Sequence, residues 1–482
     1  MNKKNLAVVL IILIAGMFYS LNIKPGQIGH LNDDAYYINA ARWFAGVQTA
    51  QKELSSRSLG FAFLLVPVAR VAGDSLLPFR MVSLLFTLAS LWMIFLIFRK
   101  KTRANTFAAA GGVCFSILLL TAFNHMNLIF STMVMSEEAY LFFSLLALWL
   151  FIRYENRDFS YRASFCQALS LAVLSYIRPE GFLMAFAVFV ILVFSRRNRD
   201  ALYTVFFFIL LVLPLVTNSF GIGSSLDKYL NELLFPMLYA GPSAVLKTNS
   251  AYFLKDISAV SFFTEVIRSR MGIFEIYAAL VVMAVILLGL WTAVRKRGKT
   301  ASFRSVPSVF AVYFVLYTVF HMIWPAKGVR FVIPILPFIY YFFFSAIDFA
   351  VSGSSIVSRR KATVFFTTLI LIVSAYQNYL ILITPVPELF PETFAYVKSS
   401  NKKEDVFVSE TADRFFLKTG VKTILPVVYT SPDDFYYFLI KKGVTRAALY
   451  RNLLLSTEYK EFPTPSAGGI KRYAMYVKNT WR

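Results

Sequence analysis

Residues 163–195 read ASFCQALSLAVLSYIRPEGFLMAFAVFVILVFS. Two apolar runs, 163–177 and 181–195, meet at Arg178-Pro179-Glu180-Gly181. Each run falls short of the ~20 residues that a hydrocarbon core of ~30 Å demands of a helix. Proline and glycine punctuate the junction, so the stretch predicts two short membrane helices joined at a tight corner. The arginine and glutamate at that corner are candidates for chemistry, because ionisable groups at membrane depth are costly and rare.

The same apolar pattern recurs to either side. Eleven candidate spans lie at 6–23, 79–98, 106–123, 136–152, 163–177, 181–195, 202–220, 273–294, 305–324, 330–350 and 362–383. Composition agrees: the 482 residues are 58% hydrophobic and 16% charged, with mean hydropathy +0.62. Soluble domains average about 45–50% apolar and about 25% charged, so a polytopic α-helical membrane protein is expected. Cys114 and Cys166 both fall inside apolar stretches, which excludes a disulfide framework.

Basic residues set the orientation. Alternate connections carry Lys3-Lys4, Arg99 to Arg103, Arg153 to Arg162, Arg196 to Arg199, Arg295 to Arg304 and Arg359 to Lys361, twenty cations in all. The short connections on the other side hold only Arg178, Lys327 and Arg330. The N-terminus is expected inside and, with an odd number of spans, the C-terminus outside. The net charge of +23 is then largely a topology signal, and no nucleic-acid site is read from it. No small-x-small cleavage pattern follows the first apolar run, which is therefore read as an uncleaved helix.

Three segments on the outer side are too large to be mere connections. Residues 24–78 contain the broken apolar run Leu59 to Ala72, of the kind that lies on a membrane surface. Residues 221–272 open with Gly221-Ile222-Gly223-Ser224-Ser225, suited to a mobile loop. From Pro385 the composition turns soluble. Four β-rich runs (406–408, 422–428, 446–450 and 472–477) accompany helical stretches, one capped at Ser431-Pro432-Asp433-Asp434. The expected organisation is a membrane domain, 1–384, and a small extracytoplasmic α/β domain, 385–482.

Ionisable residues near span ends concentrate on the outer side. Asp33-Asp34 follows the first span, Glu137-Glu138 opens the fourth, Arg178 and Glu180 sit at the corner, and Arg330 opens the tenth. His30, His125 and His321 fall on the same side. His321, one turn from its helix end, reads more readily as an interfacial residue than as part of a site. Glu138 is the weaker half of its pair, since successive helical residues point about 100° apart.

These residues carry a resemblance. An acidic pair in the first outer loop, then tyrosine and the helix Ala41-Arg42-Trp43-Phe44-Ala45-Gly46, resembles the GT-C superfamily of membrane glycosyltransferases. The similarity is greatest to the bacterial protein-mannosyltransferase-like branch that includes lipid A aminoarabinose transferases. That branch usually has Asp-Glu where this chain has Asp33-Asp34. Its surface helix and arginine-entered span match Leu59 to Ala72 and Pro78-Phe79-Arg80. Its further acid matches Ser136-Glu137, its arginine-proline corner matches Ile177-Arg178-Pro179, and its proline-spaced entry matches Arg330 to Pro337. The match runs over nearly the whole chain; each motif alone is short, and their order and sidedness carry it.

The resemblance implies the GT-C fold in the cell (inner) membrane and an inverting glycosyltransferase with its active site on the outer face. The donor would be a polyprenyl-phosphate sugar, and the acceptor a hydroxyl of a glycolipid, glycan or protein. A carboxylate would take the acceptor's proton, with Asp33 favoured, Asp34 as its partner and Glu137 as the further catalytic acid. Arg178 and Arg330 would meet the donor phosphate as guanidinium forks, and Lys327 as a point charge. Some members use a divalent cation, Mg or Mn, for which Asp33, Glu137 and His30 are the ligand candidates. The competing class is a transporter or lipid-linked glycan flippase. Such proteins place their sites near the bilayer midplane, whereas here the span centres are nearly free of charge.

Overall fold

The computed structural model describes residues 3–24, 33–48, 58–102, 110–154, 159–216, 241–263, 271, 274–295, 306–324, 328–353, 355–384, 407–409, 412–421, 423–424 and 446–448. The chain divides into two compact units. The first comprises Met1–Ile23, Ser55–Phe61 and Arg80–Pro385; the second comprises Lys24–Leu54, Ala62–Phe79 and Val386–Arg482.

The first unit is helical throughout its described length. It holds α1 (Lys3–Ser20), and α4 (Leu77–Thr102) from Arg80 onward. There follow α5 (Ala110–Ala122), α6 (His125–Phe130), α7 (Ser136–Tyr154), α8 (Tyr161–Ile177), α9 (Gly181–Phe194) and α10 (Asn198–Val216). Next come α11 (Pro242–Ser261), α12 (Phe274–Arg295), α13 (Val306–Ile323), a 3₁₀ turn (Val329–Ile335), α14 (Leu336–Ala350) and α15 (Ile356–Ile383). Every one of the eleven apolar stretches holds a helix. Among the described residues five helical stretches are long and apolar enough to cross a bilayer by length and composition, beginning at Leu77, Asn198, Phe274, Val329 and Val357. Leu6, Leu10, Leu13 and Met17 on α1, and Val357, Val364, Phe365 and Ile372 on α15, are exposed. Apolar faces of that extent are costly in water and expected in lipid. This is a multi-pass membrane protein.

Lipid tails give apolar faces no reason to associate, so helices in a bilayer are joined by close packing and hydrogen bonds. Gly289 of α12 lies against the backbone of Phe342 in α14, where any side chain would collide. Nearby, Thr292 donates to the Gly289 carbonyl at 2.9 Å and reaches the Ser345 carbonyl at 3.4 Å. Thr367 donates to Ser116 at 2.8 Å, tying α15 to α5, and Tyr140 and Tyr313 share a hydrogen bond of 3.2 Å between α7 and α13.

Helix α6 is too short to hold itself together. Asparagine side chains pin its surroundings instead. Asn124 caps it by accepting from Met126 N and donates to the Val260 carbonyl at 2.7 Å. Asn22 donates to the Leu128 carbonyl at 2.9 Å, Asn127 to Thr121 at 2.7 Å, and Asn378 to Phe123 at 2.8 Å.

The second unit contains α2 (Asp33–Phe44), most of α3 (Gly60–Ala72) and, in the tail, β1 (Phe407–Ser409), α16 (Ala412–Thr419), β2 (Thr423–Ile424) and β3 (Arg446–Ala448). The strands form a parallel sheet in the order β2-β1-β3, with Phe407 opposite both Thr423 and Arg446. Parallel neighbours need a crossover, and α16 supplies the one between β1 and β2. Asn39 of α2 donates to the Asp413 carbonyl at 2.8 Å, and Arg42 donates to Gly73 at 2.8 Å. The expected helix from Ser431 and the run 472–477 lie outside the described residues.

Candidate functional site

The corner between α8 and α9 starts from Pro179. A residue before proline is pushed out of the helical region, and Arg178 is extended, with φ −151° and ψ 142°. Its N–H still closes the last turn of α8, donating to the Leu174 carbonyl at 3.0 Å. Gly181 then donates to the Arg178 carbonyl at 3.0 Å and opens α9. A β-carbon at Gly181 would stand 2.5 Å from Ser175 N, so this closure needs glycine. A second constraint comes from the strap before α3. Ser58 donates to the Tyr176 carbonyl, and Gly60 rests on the Tyr176–Ile177 peptide, leaving no room for a side chain.

The corner directs Arg178 into a group of charges. Its Nε donates to both oxygens of Glu180 at 3.3 Å, and Nη2 donates to Glu180 Oε1 at 2.8 Å. On the opposite edge Nη1 donates to Glu137 Oε1 at 2.7 Å and lies 3.4 Å from Ser136 Oγ. Arg330, in the 3₁₀ turn, brings Nε to 3.6 Å from the same Glu137 oxygen. The side chains of Glu137 and Glu180 are 1% and 4% exposed, against 12% for Arg178 and 27% for Arg330. Phe331 lies under both guanidiniums, 5.3 Å from Arg178 Cζ and 5.1 Å from Arg330 Cζ. A hydrogen bond of 3.0 Å from Tyr317 to the Phe331 carbonyl holds that turn against α13.

Burial alone would lower the Arg178 pKa, but Glu180 and then Glu137 reverse that and hold it well above its ordinary value. Glu180 is the mirror case. Burial favours its neutral form, and the Arg178 guanidinium overcomes this, keeping the carboxyl below its ordinary range. Both groups are charged at neutral pH.

His321 closes the group. Its Nε2 is 3.8 Å from Glu180 Oε1, and its ring packs against Tyr317 at 4.4 Å, Phe331 at 4.8 Å and Phe253 at 5.3 Å. Neither ring nitrogen has a hydrogen-bond partner among the described residues.

The structure therefore brings Glu137, Arg178 and Arg330 together and adds Glu180 and His321. The signal for Glu180 was its place two residues from Arg178. For His321, 141 positions further on than Glu180, the one signal is its place on the outer side, which reads as interfacial. Glu138 is fully buried, beside Thr87 of α4 and away from the two arginines. Asp33 and Asp34 belong to the other unit, in the first turn of α2, where acids are favoured by the helix dipole. They are 8% and 0% exposed, and Asp34 Oδ1 accepts from Ala35 N at 2.8 Å. His30 and Lys327 lie outside the described residues. Among the described residues no group of three or more His, Cys, Asp or Glu side chains gathers as a metal-holding set. At Glu137 the donor set also argues against a dication, because two guanidiniums converge on the oxygen a metal would take.

The family model for dolichyl-phosphate-mannose-protein mannosyltransferase matches residues 56–220, about a third of the chain. This stretch includes Glu137, Arg178 and Glu180. No curated protein matches. Among solved structures, ArnT from Cupriavidus metallidurans bound to undecaprenyl phosphate aligns with TM-score 0.58 and 12% identity, over 91% of this chain and 89% of that one. AglB from Archaeoglobus fulgidus, an archaeal oligosaccharyltransferase in complex with an inhibitory peptide and a dolichol-phosphate, aligns with TM-score 0.54 and 10% identity, over 92% and 69%. An Archaeoglobus fulgidus oligosaccharyltransferase complex with Zn and sulfate aligns with TM-score 0.52 and 12% identity, over 86% and 62%. At such identities the likeness is one of fold.

Proposed function

For a multi-pass membrane protein that resembles the GT-C glycosyltransferases in sequence and in fold, we propose the transfer of a sugar from a polyprenyl-phosphate donor to an acceptor hydroxyl. The acceptor is a glycolipid, a glycan or a protein, reached on the outer face of the cell membrane. What supports this reading most is the convergence of Arg178 and Arg330 on one point, with Arg178 fixed by two buried carboxylates and Arg330 3.6 Å from one of them. Two guanidiniums at one point make a receptor for a phosphate group. The solved relatives add to it, since ArnT is bound to undecaprenyl phosphate and AglB to a dolichol-phosphate.

In the proposed reaction the acceptor oxygen attacks the anomeric carbon from the face opposite the phosphate. The carbon–oxygen bond to phosphate breaks, and its electron pair stays on the phosphate oxygen, whose added charge the two guanidiniums meet. The hydroxyl proton passes to a carboxylate, for which Asp33 is the choice and Asp34 its partner. Configuration at the anomeric carbon inverts. Arg178 and Arg330 bind and orient; they take no proton.

The test is to incubate purified protein with a labelled polyprenyl-phosphate sugar and, separately, the organism's lipid and protein fractions. Label moving into one fraction establishes transfer and names the acceptor class. Label carried across a vesicle membrane with no transfer would instead favour a flippase.

A further inference from the structure

Resting on that reading, the anion position between the two arginines is filled by the protein itself. Glu137 Oε1 stands 2.7 Å from Arg178 Nη1 and 3.6 Å from Arg330 Nε, where an oxygen of a bound phosphate would stand. Carboxylate and phosphate oxygens present the same acceptor to a guanidinium, so the two compete for one place. Charge leads to the same result. Two carboxylates, Glu137 and Glu180, already face the guanidiniums here. An arriving phosphate would add like charge beside them unless a carboxylate moved away.

The contacts show which carboxylate can move. Glu180 grips Arg178 through three contacts that use both its oxygens. Glu137 holds Arg178 through one oxygen, and its Oε2 is buried with no hydrogen-bond partner among the described residues. We propose that Glu137 is a placeholder: it occupies the phosphate position of the empty protein and is displaced when the donor's phosphate takes both arginines. Glu180 keeps Arg178 in place during the exchange. The position of the Glu137 carboxylate thus depends on whether a donor is seated.

The experiment measures the Kd for undecaprenyl phosphate with the full-length protein in nanodiscs. Glu137→Gln keeps the size of the side chain and removes the competing charge, and it is expected to tighten binding about tenfold or more. Glu138→Gln alters the neighbouring, fully buried side chain in the same turn of α7 and is expected to leave binding unchanged. Unchanged or weaker binding in Glu137→Gln overturns the placeholder, as does equal tightening in Glu138→Gln, which would mark a general loosening of this helix end. If Glu137→Gln does not fold, Glu137→Asp carries the test, because the shorter acid draws back from both arginines. Tighter binding than the parent supports the proposal, and equal or weaker binding overturns it. A parent protein that binds no undecaprenyl phosphate fails at the earlier step, and the glycosyltransferase reading fails with it.

Discussion

Arg178 and Glu180 stand on either side of a single proline, and the turn at Pro179 folds the guanidinium back onto the carboxylate through three contacts of 2.8–3.3 Å. Neighbours this close in sequence seldom face each other. The extended Arg178 backbone and the immediate start of α9 at Gly181 make it possible here.

Removing the arginine strands two buried carboxylates. Arg178→Met is therefore expected to cost about 3–5 kcal/mol of stability, the usual penalty for breaking a buried pair from one side. Arg178→Lys restores charge without the fork and should recover part of it. Thermal unfolding in detergent reads both. An Arg178→Met protein as stable as the parent would show that the cation serves ligand binding alone.

The pH dependence follows from Glu180. Its pKa is lowered in the folded protein from the ordinary 4.5, so the unfolded chain takes up the proton first as pH falls. The stability Glu180 contributes is complete above that ordinary value and is lost as pH drops below it toward the folded pKa. The midpoint of thermal unfolding should fall in that acid window. Glu180→Gln should lower stability at neutral pH and show a shallower acid decline.

Gly60→Ala tests the strap. The added methyl would meet the Tyr176 carbonyl and come within 2.6 Å of Ile177 N, beside Arg178. Overpacking of this kind costs about 1–3 kcal/mol. Binding of undecaprenyl phosphate is expected to weaken although no charge has changed. Gly46→Ala is the control for a glycine with open space around it, although its φ of 72° carries a strain of its own.

Asp33→Asn is expected to lower turnover about 10²–10⁴-fold, the usual cost of a missing general base, and to leave donor binding near normal. Asp34→Asn should cost less. Turnover kept by the first variant and abolished by the second would reverse the two roles.

Orientation is tested by fusing a reporter that is active only outside the cell. Signal is expected after Thr384 and none after Lys299. The opposite pattern would move the Arg178 corner to the cytoplasmic face, where the proposed donor site would be on the wrong side.

The helices were legible because apolar runs of bilayer length leave few alternatives, and all eleven stretches hold one. Their ends were less so. The seventh run was read from residue 202, yet α10 begins at Asn198, because Arg199 and Asp200 form its first turn while looking too polar for a span. The tenth was read as one helix from Arg330, yet Pro334 and Pro337 divide it into a 3₁₀ turn and α14. Helices α6 and α11 were not foreseen. The first is held by asparagines from distant segments, and the second is modestly polar, lying in a stretch read as loop. Charge placement suggested Glu137, Arg178 and Arg330 one by one. That they meet at a single oxygen depends on contacts between residues 41 and 193 positions apart, which no local pattern encodes.

Asn378 and Phe123 are 255 residues apart, and the amide of the first completes the carbonyl of the second at the end of α5. A ribosome adding about 5–20 residues per second makes Asn378 roughly 13–50 seconds after Phe123. For that interval the carbonyl has no Asn378 amide to accept from, and α6 has one fewer tether. The order of synthesis thus leaves one tether beside α6 to α15, and a nascent chain halted before residue 378 would hold that short helix by its asparagine contacts from earlier segments alone.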